Sequence, residues 1–137
     1  MKKIWIVVIV IIFVIFLDIM TENYTNKIVS NIEIELKRID KDLEKAFVDG
    51  EFLFSKEDEK NIEKQAEDLL KLWRKQEDML SFYIEHDEIE KVSDKVNLLN
   101  KQIEMENYTD AISSIIEAKF LLKHITEKQS LTLKNIF

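Results

Sequence analysis

The side chains able to do chemistry are few. There is no cysteine, which excludes a disulfide scaffold, a thiolate zinc site, an iron–sulfur cluster and a cysteine nucleophile. The two histidines are His86, in the acidic run Glu85-His86-Asp87-Glu88, and His124, between Lys123 and Glu127. On a helix, His86 and Glu90 would share a face as ligands for a metal. A histidine at a helix end is also satisfied by a neighbouring carboxylate or by the last carbonyls, and that reading is preferred for both. If His86 closes the second helix of an up-down bundle and His124 the fourth, the two lie at one level. A shared histidine site is then open but unforced. Trp73 sits among Leu69, Leu70 and Leu80 at helical spacing, as a core residue or, alternatively, as a ligand platform. Trp73, His86 and His124 are therefore the candidate interaction residues; no catalytic, metal or cofactor-binding residue is assigned.

The other reactive types carry weaker signals. Acidic pairs such as Asp40/Asp42, Glu57/Asp58 and Glu77/Asp78 alternate with lysines at helical spacing, the pattern of a solvated face. Ser113, Ser114 and Ser130 have no glycine-rich elbow, so a serine hydrolase is not expected. A single glycine leaves no phosphate-cradling loop and no dinucleotide fingerprint. The expectation is a protein that is not an enzyme and carries no cofactor.

The elements that must position these residues are helices. With one glycine and no proline in 137 residues, a sandwich or barrel rich in tight turns is excluded. Residues 4–17, IWIVVIVIIFVIFL, are fourteen uninterrupted apolar residues behind Lys2 and Lys3. With Ile19 and Met20, the stretch 4–20 spans about 25 Å as a helix, slightly short of a bilayer's apolar core, and snorkelling by Lys3 closes the gap. A cleaved signal peptide is the rival, but DIMTENYTNK has no pair of small residues at cleavage spacing. The basic flank places the N-terminus in the cytoplasm and the rest outside. The expected division is an anchor over residues 1–21 and an extracytoplasmic helical domain over 22–137. From Asp18 onward the chain carries 18 basic against 27 acidic side chains, which repels phosphate and excludes a nucleic-acid partner.

Four amphipathic stretches follow. The first places Ile28, Ile32, Leu36, Ile39, Leu43 and Phe47 on one face and ends at Asp49-Gly50. Phe52 and Phe54 then tuck under the connection. The second opens on Ser55 as N-cap, carries Ile62, Ala66, Leu69, Leu70, Trp73, Leu80 and Ile84, skips its register at Gln76-Glu77, and ends at His86-Asp87. The third, capped by Asp87, carries Ile89, Val92, Val96, Leu99 and Ile103. The fourth, capped near Thr109, carries Ala111, Ile112, Ile115, Ala118, Leu122 and Ile125. The tail 130–137 alternates instead and is expected to fold back onto the bundle. The predicted architecture is all-α: a transmembrane helix followed by an antiparallel four-helix bundle of two α-hairpins. A coiled-coil oligomer zipped along Ile28, Ile32, Leu36, Ile39 and Leu43 is the alternative.

The segment LLKLWRKQEDMLSFYIEHDEIE around Trp73, the run LLKHI at 121–125 and the final Asn135-Ile136-Phe137 resemble the domain-of-unknown-function family 4363 across essentially the whole chain. The resemblance implies membrane-anchored proteins of spore-forming, low-GC Gram-positive bacteria and lends no activity. Together these readings imply a single-pass membrane protein acting as a binding or scaffold subunit with an envelope partner, or alternatively as a ligand-sensing bundle.

Overall fold

The computed structural model describes residues 1–136, with side chains to Leu131. Among them are four helices, α1 (Lys2–Ala46), α2 (Lys56–Leu80), α3 (His86–Glu104) and α4 (Tyr108–Ile136), and two short strands, β1 (Phe47–Val48) and β2 (Glu51–Phe52). The helices pack in the ring order α1–α2–α3–α4, and α4 closes back onto α1. The fold is therefore an antiparallel four-helix bundle, in which α2 and α4 lie across the ring from one another.

The apolar stripes form one core. Ile28, Ile32, Leu36, Ile39 and Leu43 of α1 meet Ile62, Leu69 and Trp73 of α2, Val92, Val96 and Leu99 of α3, and Ala111, Ile115, Ala118 and Leu122 of α4. This arrangement overturns the coiled-coil alternative. The α1 seam is consumed inside its own chain, so it cannot also zip against another.

α1 is a single helix of 45 residues that contains both the apolar segment and the first bundle helix. An eighteen-residue stretch of it is long and apolar enough to cross a membrane, and none of that stretch is buried in the chain. The boundary expected between residues 21 and 22 falls inside this helix. Nothing there breaks it, because the polar segment has neither glycine nor proline; the hydroxyls of Thr21 and Thr25 are satisfied within the helix by the carbonyls of Asp18 and Thr21, both at 2.9 Å.

The connections required more correction than the helices. α1 stops at Ala46, which takes the buried position expected of Phe47; Phe47 is half exposed in β1. Asp49 and Gly50 both have positive φ, 52° and 91°, as a type I′ hairpin turn requires, so this Asp-Gly pair builds a β-hairpin. Phe52 and Phe54 do tuck beneath it, packing on Tyr108 at centroid distances of 5.3 and 4.6 Å. Space around Gly50 is open, so Gly50→Ala meets only backbone strain. We expect it to lower stability by about 1–2 kcal/mol, measured by urea denaturation of the full chain in detergent.

Ser55 caps α2 as expected, accepting from the Asp58 amide at 3.1 Å. α2 ends at Leu80, earlier than the expected His86-Asp87, because Tyr83 and Ile84 turn back to donate to the Leu80 carbonyl. His86 consequently opens α3, whose N-cap is Glu85 with no side-chain cap bond, so Asp87 is a first-turn residue and not the cap. The α3–α4 connection is a Schellman motif: the amides of Asn107 and Glu106 reach the carbonyls of Gln102 and Ile103. Glu106 adopts there the φ of 58° that is usually given to glycine. Asn107 replaces Thr109 at the start of α4, its Oδ1 accepting from the Asp110 amide at 3.4 Å. α4 runs helically to Ile136, which corrects the expectation of a non-helical tail. Whether residues 132–137 pack back onto the bundle lies outside the described residues.

Candidate functional site

Trp73 is the centre of the bundle and is wholly buried. Its indole N–H donates to Ser93 Oγ on α3 at 2.7 Å. Ser93 Oγ in turn lies 2.8 Å from Glu77 Oε2 and 3.0 Å from the Ile89 carbonyl. The skipped register at Gln76-Glu77 is thereby explained. Those two α2 positions carry polar contacts between helices, with Glu77 completing the tryptophan relay and Gln76 accepting from Tyr24 Oη of α1 at 2.9 Å. Burying the indole costs little because its one polar atom is satisfied. Trp73 is thus a core residue, with no part of its ring open at the bundle surface.

The structure places the two histidines on neighbouring helices, His86 at the start of α3 and His124 on α4. His86 sits on α3, not at the end of α2, and is exposed to solvent. His124 on α4 faces α3. Its Nε2 is 3.7 Å from Glu88 Oε1, and Lys128 Nζ reaches both Glu88 and Glu85 at 2.9 Å. The hydrogen bonds from Lys128 hold the Glu85 carboxyl below its ordinary range. This cluster clamps the start of α3 to the end of α4. Among the described residues, no three histidine, aspartate or glutamate side chains converge as a metal site.

Charges elsewhere also work between helices. Lys119 of α4 bonds Asp40 of α1 at 2.6 Å, and Lys95 of α3 pairs with Glu117 of α4. Gln65 of α2 donates to Asp42 Oδ2 of α1 at 2.8 Å and, with Lys45, holds that carboxyl low. Asp42 and Lys45 line a shallow cavity of about 350 Å³ together with Leu53, Phe54 and Asp58, beside the hairpin. Its mixture of charges and its openness give no ligand class.

At the other end of the bundle, the α2–α3 turn leans on α1. Tyr83 Oη is 3.1 Å from the buried Thr25 Oγ1, and burial pushes the phenol above its ordinary value. Sequence reasoning missed Ser93, Gln76 and the Thr25–Tyr83 contact. The usable signal for Ser93 was its place one position past Val92 on the core edge of α3, opposite a tryptophan whose N–H needs an acceptor.

The contacts that could have formed a reactive centre thus serve to fasten helices together. A search of curated proteins finds no match, and no solved structure matches either. A family model, the domain of unknown function DUF4363, matches residues 19–136, the whole bundle and the junction that leads into it. The chain belongs to the DUF4363 family.

Proposed function

We propose that the protein is a single-pass membrane protein whose helical domain stands outside the cell and acts as a binding or scaffold subunit of an envelope assembly, without catalytic activity. The observation that carries the reading is the bare apolar stretch at the start of α1, which finds no cover among the described residues yet continues without a break into a core helix of the bundle. An apolar surface of that size is stable in lipid and not in water. Lys2 and Lys3 favour a cytoplasmic N-terminus. A scaffold role is supported by polar side chains spent on interhelical contacts and by outward-facing Ile116 and Phe120 on α4, which leave apolar surface for a partner.

The test is fractionation followed by proteolysis of protoplasts producing the full chain. Full-length protein should sit in the membrane fraction, with residues beyond Met20 digested from outside. A product starting near residues 21–24 and recovered in the medium would refute the anchor. Crosslinking from the outer face, with mass-spectrometric identification, then names the partner. A thermal midpoint that rises with small-molecule libraries would favour a sensor instead.

A further inference from the structure

We propose that the base of the bundle, the α2–α3 turn with Phe82 at its tip, docks into the interfacial layer of the same bilayer that α1 enters. This rests on reading α1 as a membrane anchor. The turn is pinned to α1 at Thr25, five residues beyond Met20, or about 7.5 Å along the helix axis. The headgroup layer on each side of a bilayer is roughly 5–7 Å thick, so the turn falls at its outer edge.

The side chains fit that depth. Tyr83 and Ile84 point inward, anchored by their amides to the Leu80 carbonyl. Phe82 between them and the helix points away from the core and is 83% exposed, the highest exposure of any aromatic ring among the described residues. Met79, whose carbonyl accepts from the Phe82 amide, is exposed beside it. Aromatic rings partition favourably into this layer, where an apolar body and polar neighbours are both accommodated. Glu85 and Glu88 next to the turn are bridged by Lys128, so they do not face the headgroups as bare charges. Asp18 and Glu22 on α1 remain acidic, which makes a zwitterionic surface the fitting occupant rather than an anionic one.

The absence of native cysteine makes single-site labelling direct. Nitroxides are placed on Ser81→Cys, Ile12→Cys and Phe120→Cys in the full chain, reconstituted in phosphatidylcholine vesicles. Their collisions with oxygen, which concentrates in lipid, and with a water-soluble nickel chelate are measured by power saturation. The Ser81 label should lose nickel access several-fold relative to the Phe120 label, and Phe82→Glu in the same background should restore it. A Ser81 label as open to nickel as the Phe120 label, or unchanged by Phe82→Glu, overturns the docking. Dipolar broadening between Ser81 labels would also overturn it, by showing a second copy on this face. The Ile12 label separates the two readings: shielded from nickel while Ser81 is open, it leaves the anchor standing and removes only the docking.

Discussion

Trp73→Ala should lower the stability of the folded chain by about 3–5 kcal/mol, the usual penalty for deleting a buried aromatic ring. The indole belongs to a core drawn from all four helices, and its loss leaves a void that the aliphatic side chains around it cannot fill without moving their helices. A domain of this size has only about 5–15 kcal/mol in total, so the variant should be largely unfolded at physiological temperature. Trp73→Phe isolates the relay. It keeps most of the volume and drops the N–H donor, and should cost about 1–2 kcal/mol. Urea denaturation of the full chain in detergent, followed by circular dichroism, checks both. A Trp73→Ala midpoint equal to that of the parent would mean the ring is not packed as described. His86→Ala is the useful control, because an exposed side chain at the start of α3 has no core contact to lose.

The second large effect concerns membrane integration. Ile9→Lys combined with Ile12→Lys places two ammonium groups in the middle of the apolar stretch. Each costs roughly 2.5–3.5 kcal/mol at the centre of a membrane helix, and the combined penalty should move the protein out of the membrane fraction. Both positions are exposed and neither belongs to the bundle core, so the helical domain should keep its melting behaviour. Alkaline extraction and membrane flotation read the first outcome, and circular dichroism the second. A double variant that stays membrane-integrated would show that some other surface holds the chain to lipid.

The helical faces were legible because they depend on a period. Every buried aliphatic of α3 and nearly all of those in α1, α2 and α4 recur at spacings of three and four, and burial follows that spacing directly. What was not legible depends on contacts between elements or on a single backbone dihedral. Phe47 continues the α1 period, yet the hairpin claims it as the first residue of β1, because Asp49-Gly50 can supply two consecutive positive φ angles. α2 ends where Tyr83 and Ile84 turn back to the Leu80 carbonyl, and Tyr83 there meets Thr25, a contact spanning 58 residues that no local pattern encodes. His86 moved with that boundary from the end of α2 to the start of α3. Trp73 was correctly placed in the core, but its acceptor was hidden, since one serine among many is distinguished only by the ring packed against it.

The unbroken passage from the apolar stretch into the bundle has a mechanical consequence. On the proposed anchor reading, with no joint between them, the domain is the upper arm of a lever whose lower arm lies in lipid. The end of α1 at Ala46 is 26 residues beyond Met20, or about 39 Å. A change in tilt of about 20°, ordinary for a single span, would sweep the hairpin tip sideways by about 13 Å. Bilayer thickness and lateral pressure would thus be read out as the position of Phe47, Leu53 and Met105 at the far end of the molecule, with no rearrangement inside the bundle.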